Sequence, residues 1–332
     1  MKTNPLFTLS TLFLSTAVLS TTAFANTPTL TVYTYDSFTA EWGPAPKLKP
    51  VFEKECGCNL KFMPFQDGIT MFNRIRLEGK KTKADVMLGL DNFTLPEAEK
   101  TGLFIPHQLD IAPLNLPQKW QNKIFYPYDF GEFAFVYNSK KLANPPKSLK
   151  ELVERQDIKV IYQDPRTSTV GRGLLFWINS VYGDKAKSAW ESLAKHTVTI
   201  GKGWSETYGA FLKGESDMVL SYSTSPLYHQ WYEKNNDYVA ANFSEGHLSQ
   251  IEVAAILKTS KHKKLARQFL KFLHTKEAQK IIATHNIMKP VITDEIDPAF
   301  AKLPKYKALK PIYPNVENLK KWQTEWQSAV SK

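Results

Sequence analysis

The residues best suited to bind a small molecule form a run of hydroxyl side chains with aromatic side chains on either side. Tyr222 to Ser225 read Tyr-Ser-Thr-Ser, with Trp204 before them and Tyr228 after them. Hydroxyl groups supply directed hydrogen bonds and aromatic rings supply flat contact faces, a combination found in small-molecule sites. A serine-rich surface loop beside two aromatic core residues would have the same composition, so both interpretations stay open.

The elements around this run are predicted to place it at the end of a strand. Tyr208, Phe211 and Leu212 recur at helical spacing and predict a helix. Met218 to Leu220 is a short apolar run typical of a strand, and Pro226 after it can begin another helix. In an open α/β sheet, ligands bind beyond the carboxyl ends of the strands. The hydroxyl run follows such an end.

Strands and helices alternate along the first part of the chain, which predicts a parallel sheet with right-handed crossovers. The segments that leave its strands contain Asp36, Asp67 and Asp91, so we expect a carboxylate at each of these strand ends. Strand and helix patterns follow each other at residues 30–35, 47–55, 60–65, 69–77 and 84–90.

A long aromatic strand at residues 124–137 is predicted to cross from one lobe to another. Residues 26–137 would begin lobe I, residues 138–245 would form lobe II, and residues 246–332 would return to lobe I. The predicted fold class is therefore α/β with two lobes, two crossing strands and a ligand cleft between the lobes. Later helices are predicted at residues 148–154 (with Ser148 and Glu151 as a capping box), 174–182, 185–195, 261–273, 275–284 and 316–330, and later strands at residues 160–162 and 251–257.

Residues 1–25 have the pattern of a secretory signal peptide. Lys2 is the only charged residue before Asp36, residues 6–19 are mostly apolar, and Ala23-Phe24-Ala25 matches a small–x–small cleavage site. The apolar stretch is too short, and too interrupted by Ser and Thr, for a membrane span. We expect cleavage near Ala25 and an exported product, with a retained N-terminal anchor as the alternative.

The net charge is positive, but it is spread along the chain. The full sequence has 43 Lys and Arg against 32 Asp and Glu, and removal of Lys2 leaves 42 − 32 = +10. No block of basic residues interleaves with aromatic residues, so nucleic-acid binding is not indicated. The charge provides at most a weak attraction for anionic ligands or membrane surfaces.

The chain has two cysteines, Cys56 and Cys58, in a Cys-Gly-Cys sequence. An exported chain meets an oxidising compartment, so we expect a disulfide between them. The alternatives are a zinc site, for which no further ligands are evident nearby, and a reactive thiol.

Five segments together resemble one known family. They are LTVYTYDSF, the Gln-Asp-Gly turn, ADVMLGLDN, VIYQDPRTST and GWSETYGAFLKGESDMVLSYSTSP. They resemble the periplasmic thiamine-binding proteins of bacterial ABC importers, over essentially the whole mature chain. The resemblance implies a type II periplasmic-binding fold and a periplasmic, monomeric protein without catalytic activity. It implies binding of thiamine, thiamine monophosphate and thiamine diphosphate, and delivery to an inner-membrane permease with its ATPase subunit.

The resemblance also implies the residues that contact the ligand. One position departs from the family pattern, because Ile287 stands where an aromatic residue is expected to stack on the pyrimidine, which leaves Tyr228 as the only stacking ring. The matching motifs place ligand contacts at Asp67, Gly68, Ser168, Thr169, Trp204, Tyr222, Ser223, Thr224 and Ser225, with Tyr35, Trp42 and Tyr228 as further cleft aromatics.

The chemistry of thiamine fits these residue types. A thiazolium cation is stabilised by a carboxylate or a ring face, which Asp67 and Trp204 can supply. Residues 168–173 lead into a helix, and a helix N-terminus suits a phosphate. Turn formation by Asp-Gly, core packing by Trp204 and ordinary capping by Ser168 are the alternatives. We expect Arg172 to be solvated, and we expect neither a resident cofactor nor a metal.

Two other functions deserve comparison. Some thiaminases resemble this fold and use a cysteine in the cleft as the nucleophile, but Cys56 and Cys58 lie near the start of a predicted strand, away from its carboxyl end. Ferric-ion binders of similar fold use closely paired tyrosines, and Tyr222 and Tyr228 are not adjacent. A transport binding protein is therefore the favoured function.

Overall fold

The computed structural model describes Met1 and residues 27–331. The predicted signal peptide and its cleavage site lie outside the described residues. The strands are β1 (Thr29–Tyr35), β2 (Asn59–Phe65), β3 (Val86–Asp91), β4 (Phe104–Ile105), β5 (Tyr126–Asn138), β6 (Val160–Gln163), β7 (Thr197–Gly201), β8 (Met218–Tyr222), β9 (Tyr238–Ala240), β10 (Ser249–Leu257) and β11 (Lys289–Pro290). The helices are α1 (Asp36–Thr39), α2 (Ala45–Cys56), α3 (Gly68–Glu78), α4 (Leu95–Lys100), α5 (Leu149–Glu154), α6 (Thr169–Tyr182), α7 (Ala186–Ala194), α8 (Trp204–Leu212), α9 (Pro226–Tyr228), α10 (Lys263–Leu273), α11 (Lys276–His285), α12 (Pro298–Lys302) and α13 (Val316–Val330).

One hydrogen-bonded path of strands runs through the molecule in the order β2-β1-β3-β10-β5-β8-β6-β7. The pairs at its two ends are parallel, as the strand–helix alternation predicted, and the pairs around β10 and β5 are antiparallel. We use lobe I for β2, β1, β3 and β10 with their helices, and lobe II for β8, β6 and β7 with theirs. This arrangement confirms the predicted two-lobed α/β class.

Strand β5 belongs to both lobes. Its first half, residues 126–132, pairs with β10, and its second half, residues 133–137, pairs with β8. Tyr126 and Tyr128 lie in a lobe I core, whereas Phe133 and Phe135 lie in a lobe II core. A strand buried on both faces needs apolar side chains at nearly every position, which explains its aromatic sequence.

Strand β10 brings the chain back into lobe I, since Leu248 just before it lies in a lobe II core. Its side chains alternate between the two faces of the lobe I sheet, with Ala254 and Ile256 on one face and Val253, Ala255 and Leu257 on the other. Because both faces are covered, the period-two alternation does not show as an apolar–polar pattern in the sequence.

Two helix starts differ from their predictions. Ser148 caps α5 by accepting a hydrogen bond from the Glu151 N–H (2.9 Å), as predicted. The Glu151 carboxylate, however, accepts from the Lys147 N–H (2.8 Å) rather than from the Ser148 N–H, so the capping box is shifted by one residue. Helix α6 begins at Thr169 instead of residue 174, because Ser168 already caps it there.

The C-terminal helix packs on lobe II. Trp326 and Ala329 of α13 lie in the same core cluster as Trp177 of α6 and Trp190 of α7. The prediction that residues 246–332 return to lobe I therefore does not describe this helix, and the remaining lobe boundaries stay predictions. Along residues 27–331, no helix combines the length and the apolar character needed to cross a membrane.

Cys56 and Cys58 are joined by a disulfide at the end of α2, with their Cα atoms 5.2 Å apart. The pair lies next to the start of β2, at the opposite end of that strand from Asp67. Neither sulfur belongs to the cleft described below.

Candidate functional site

A cavity of about 340 Å³ lies between the two lobes. This volume is at the lower end of the range for small-molecule sites. The segments after β1 and β2 line it from lobe I, helices α6 and α8 and the segment after β8 line it from lobe II, and β10 forms its floor. The lining residues are Tyr35, Asp36, Ser37, Trp42, Gln66, Asp67, Thr169, Val170, Trp204, Ser205, Tyr208, Gly209, Leu212, Tyr222, Ser225, Tyr228, Glu252, Asn286, Ile287 and Met288.

The cavity brings together most of the residues that the sequence placed at the ligand. Four of the predicted contacts lie outside the lining: Gly68, Ser168, Ser223 and Thr224. Eight line it: Tyr35, Trp42, Asp67, Thr169, Trp204, Tyr222, Ser225 and Tyr228.

The ionisable acid and base side chains of the lining are all acids. Asp36, Asp67 and Glu252 are its acidic members, and among the described residues no Lys, Arg or His lines the cavity. The chain as a whole carries a net positive charge. The cleft therefore provides a local field that attracts cations, opposite in sign to the charge of the whole chain.

Asp67 is held by backbone N–H groups at the starts of three helices. Its Oδ1 accepts from the N–H groups of Gly68 (2.6 Å, α3) and Thr169 (2.9 Å, α6), and its Oδ2 accepts from that of Trp204 (3.1 Å, α8). Burial raises the pKa of Asp67 to about 6, although these N–H groups act to lower it. Since α3 is in lobe I and α6 and α8 are in lobe II, this carboxylate bonds the lobes to each other.

The predicted phosphate cradle has its N–H groups bonded within the protein. Thr169 N–H donates to Asp67, and the Ser168 hydroxyl accepts from the N–H groups of Val170 (3.2 Å) and Gly171 (3.3 Å). Ser168 thus acts as an ordinary N-cap in this conformation. Gly68 allows the lobes to approach each other closely. A Cβ at this position would collide with the Gly89 carbonyl oxygen and lie 2.7 Å from the Thr169 side chain.

Arg172 is buried, so the prediction that it is solvated was wrong. Its Nε donates to the Pro165 carbonyl oxygen (3.0 Å) and its Nη1 to the Glu97 carboxylate (3.0 Å). Its side chain is only 4% exposed. The pair joins α6 of lobe II to α4 of lobe I, and it leaves Arg172 committed to the protein rather than to a ligand.

Aromatic rings from both lobes meet across the cavity. Trp204 stacks on Tyr208 with ring centroids 4.9 Å apart, and its Nε1 donates to the Ser221 hydroxyl (2.8 Å). Trp42 of lobe I lies 6.2 Å from Trp204 and 6.3 Å from Tyr228, measured between ring centroids. These hydrogen-bonded and stacked rings hold fixed faces against which a flat ligand can lie.

Much of the hydroxyl run is used to build its own turn. The Ser225 hydroxyl accepts from the Tyr222 N–H (3.2 Å) and lies 2.7 Å from the Ser221 hydroxyl. Ser223 donates to Glu132 (2.5 Å), and Thr224 is buried beside the Met288 sulfur. Of the four residues, Tyr222 and Ser225 reach the cavity, so the run is partly the structural turn that composition alone also allowed.

Ile287 lines the cavity in an unusual backbone conformation. Its φ is +55°, a left-handed value that β-branched residues rarely adopt. The position predicted to face the ligand therefore lines the cavity, where it presents an aliphatic group on a strained turn. The neighbouring Met288 adds a second flexible apolar contact.

The floor of the cavity holds an acidic pair that our sequence reasoning missed. Glu252 of β10 lines the cavity, and Asp129 of β5 is its partner in the strand pairing. Asn286 donates to both carboxylates (3.1 Å to Glu252 and 2.7 Å to Asp129). The signal in the sequence was the presence of carboxylates inside two otherwise largely apolar strands, Asp129 and Glu132 in β5 and Glu252 in β10, since an unpaired buried charge is costly.

Two further hydrogen bonds join the lobes. The Ser205 hydroxyl of α8 donates to Asp36 of lobe I (2.7 Å), and the Thr70 N–H of α3 donates to the Thr167 carbonyl oxygen of lobe II (3.0 Å). Together with the Asp67 bonds, these contacts define a closed conformation.

A two-lobed fold with a cavity between the lobes is typical of proteins that bind a solute and close around it. The sequence profile of the family described as bacterial extracellular solute-binding protein matches residues 31–280, and the chain belongs to this family.

Two curated relatives and one solved structure are similar over nearly the full chain. A thiamine-binding periplasmic protein of Haemophilus influenzae is 57% identical, over 96% of this chain and 98% of the relative. One of Escherichia coli is 54% identical, over 92% and 94%. The solved structure of a periplasmic thiamin binding protein has a TM-score of 0.89 and 53% identity, over 92% of this chain and 97% of that chain. These relatives confirm the resemblance indicated by the motifs, and they are named as binding proteins rather than enzymes.

Proposed function

We propose that this chain is the periplasmic solute-binding component of an ABC importer, and that its solute is thiamine with its mono- and diphosphate. Relatives named for thiamine binding at 47–57% identity support the solute. In this proposal the mature protein begins near Asn26, acts as a monomer, and delivers the solute unaltered to an inner-membrane permease with its ATPase subunit.

The observation that carries the proposal is the composition of the cavity wall. Six aromatic residues surround it, and its only charged side chains within residues 27–331 are acidic. Thiamine combines a flat aminopyrimidine with a thiazolium cation. A cation over an aromatic face gains about 0.5–2 kcal/mol, more when water is excluded, and nearby carboxylates add attraction. The six rings belong to Tyr35, Trp42, Trp204, Tyr208, Tyr222 and Tyr228.

The same wall supports tolerance of the phosphate groups rather than a requirement for them. No basic side chain of the described lining is available to a phosphate, and the N–H groups at the starts of α3, α6 and α8 are the anion donors. Asp67 uses these donors in the closed conformation. A phosphorylated ligand must share or displace that carboxylate, so phosphorylation should add little affinity.

The alternatives gain no support from the site. Cys56 and Cys58 are bonded to each other outside the cavity, so the lining offers no cysteine nucleophile of the thiaminase kind. For ferric ion, the described residues contain no group of three His, Cys, Asp or Glu side chains arranged to hold a metal. A ferric-binding protein of Campylobacter jejuni shares the fold at a TM-score of 0.70 with 20% identity, which shows the fold alone.

Titration of the mature protein with thiamine, followed by tryptophan fluorescence, tests the proposal. We expect saturation at one thiamine per chain, with a signal that comes from Trp42 and Trp204 at the cavity. Trp204→Phe and Trp42→Phe should reduce the signal, whereas Trp322→Phe on α13 is the matched control and should preserve it. Failure to bind thiamine, or recovery of cleaved thiamine from the mixture, would contradict the proposed function.

A second titration tests the role of the phosphate. We expect free thiamine and thiamine diphosphate to bind with affinities within about tenfold, a difference of about 1.4 kcal/mol. A free-thiamine affinity several orders of magnitude below that of the diphosphate would show that the phosphate is the main determinant of binding.

A further inference from the structure

Two buried carboxyl groups face each other where the lobes join. Asp129 of β5 and Glu252 of β10 are direct partners across the antiparallel pair. Their oxygens Oδ2 and Oε2 lie 2.7 Å and 3.1 Å from the same Asn286 nitrogen, so the two oxygens are close neighbours. The Tyr35 hydroxyl also donates to Glu252 Oε2 (3.0 Å). Glu252 is 4% exposed and lines the cavity, while Asp129 lies fully buried behind it.

The surroundings of the pair contain acids and neutral groups. Asp91 of β3 contributes a third carboxyl, bonded to Gln250 Nε2 (2.8 Å). The remaining groups that face the pair are the side chains of Tyr35 (β1), Tyr128 (β5), Tyr222 (β8), Gln250 (β10) and Asn286.

Two cations on elements around this floor are already paired elsewhere. Lys289 of β11 bonds both oxygens of Glu132, at 2.7 and 2.8 Å. Arg172 is paired with Glu97, although its charge also acts on Asp91. No salt bridge within residues 27–331 involves Asp129 or Glu252. The described protein supplies no cation to this floor, so a ligand can supply one there.

Two adjacent buried carboxyl groups without a neighbouring cation cannot both ionise at low cost, so they hold a proton between them. Burial raises the pKa of Asp129 to about 7. Burial, with the charge of Asp129, raises the pKa of Glu252 well above its usual range. The second oxygen of Asp129 has no hydrogen-bond partner among the described residues.

We propose that Glu252 contacts the positively charged ring of the solute, and that the Asp129–Glu252 pair exchanges its shared proton for that charge when the solute binds. This inference rests on the proposed function, since it requires a cationic solute in the cavity. The proton leaves to the solvent and no covalent bond to the ligand forms or breaks. The floor thereby discriminates for a fixed cation and against neutral solutes of the same shape.

The proposed exchange predicts the direction in which solute affinity changes with pH. An opposite charge near a carboxyl group favours its ionised form, so the bound cation lowers the proton affinity of the pair. Binding then releases a proton, and solute affinity rises with pH. Release of one proton corresponds to about tenfold in affinity per pH unit through the titration of the pair.

Isothermal titration calorimetry of the mature protein with thiamine tests this inference. The titration is run near neutral pH in buffers that differ in ionisation enthalpy. For the wild type we expect the heat to vary with the buffer in the direction of proton release, by about one proton per thiamine. Glu252→Gln keeps the shape of the side chain and should bring the release close to zero. Glu132→Gln is the matched control, because its carboxylate is on the same strand pair and already bonded to Lys289, and it should retain the release.

The outcomes separate the two proposals. Thiamine binding without proton release, or with proton uptake, overturns the exchange but leaves the proposed function standing. Unchanged release in Glu252→Gln overturns the assignment to the pair. No thiamine binding at any pH overturns the proposed function itself. If Glu252→Gln does not fold, the pH dependence of wild-type affinity decides, because a flat profile is incompatible with the exchange.

Discussion

The contact between the lobes and the floor of the cleft each hold a buried carboxyl group, but the surroundings of the two groups are opposite in kind. Where the lobes meet, Asp67 accepts hydrogen bonds on both oxygens, from backbone N–H groups at three helix starts and from the Thr169 hydroxyl (3.4 Å). At the floor, Glu252 has a second acid as its neighbour and hydrogen bonds from Tyr35 and Asn286. One carboxyl group, Asp67, therefore bonds the lobes to each other, and the other, Glu252, can accept a cation.

The difference follows from the secondary structure that presents each group. Helix starts have N–H groups without partners in the helix, and these can neutralise a carboxylate. In the middle of a sheet, the N–H groups are used in the strand ladders, so a carboxyl group there finds little compensation from the backbone. Asp67 is thus better understood as the group that bonds the lobes together than as the main partner of a ligand cation.

Removal of the Asp67 carboxylate should have the largest effect on binding. Asp67→Ala loses two hydrogen bonds to lobe II, and hydrogen bonds to charged groups contribute about 1.5–3 kcal/mol each. We expect thiamine affinity to fall by about 100-fold, because the closed conformation loses its carboxylate. Calorimetry measures the affinity, and small-angle scattering with saturating thiamine measures closure. Ser205→Ala, which removes only the bond to Asp36, is the control and should have a smaller effect. Wild-type affinity and compaction in Asp67→Ala would refute this assignment.

Neutralisation of the buried floor should stabilise the fold at high pH. Because the folded pKa of Asp129 is about 7, above its usual value, the folded chain binds more protons than the unfolded chain between these values. Stability contributed by this group therefore falls as the pH rises through that window. We expect the stability of Asp129→Asn relative to wild type to rise between pH ~4 and pH ~8, by up to about 4 kcal/mol, as measured by urea unfolding.

Glu132, on the same strand, should change stability with pH in the opposite direction. Burial acts to raise the pKa of Glu132, but the interactions with Lys289 and Ser223 together lower it by more. The pKa of Glu132 therefore lies below its usual value. Glu132→Gln should therefore be less stable than wild type at neutral pH, and the deficit should shrink in acid. If both variants show the same pH trend, the distinction between the proton-sharing pair and the ion pair is not correct.

The loss of one aromatic face should have an intermediate effect. Trp204→Ala removes the ring that stacks on Tyr208 and faces the cavity. We expect thiamine affinity to fall by about 10- to 30-fold, in line with about 1.4–2 kcal/mol for a cation over a ring shielded from water. Trp204→Phe retains a ring and should recover part of this loss, as measured by calorimetry. Equal affinities for wild type and Trp204→Ala would place the ligand elsewhere in the cleft.

The smallest expected effect is a gain at Ile287. Ile287→Trp restores a second stacking face opposite Tyr228, and aromatic pairs contribute about 0.5–1.5 kcal/mol beyond their buried area. We expect affinity to rise about threefold. Ile287→Leu is the control, because it relieves the β-branched strain at φ +55° without adding a ring. If both variants bind equally tightly, backbone strain rather than stacking explains the gain.

The sequence by itself determined where many helices and strands form and identified several residues that line the cavity. Apolar periodicity marked the helices, and β-rich runs marked β1, β2, β3, β5, β8 and β10, because burial imposes these patterns on consecutive residues. Trp204 was identified because it lies in one of the five segments that resemble the family, and Tyr228 because it follows that segment by two residues. The short strand β7 was missed, because its side chains are only partly buried and its sequence is not strongly apolar.

Only the tertiary structure decided what the charged residues do. Asp67 meets Thr169 and Trp204, Arg172 meets Glu97, and Asp129 meets Glu252, each across a long separation in the sequence. Such partners are set by strand register and by contact between the lobes, which no local pattern records. Since the state of a buried charge depends on its partners, its role follows from tertiary contacts rather than from residue type.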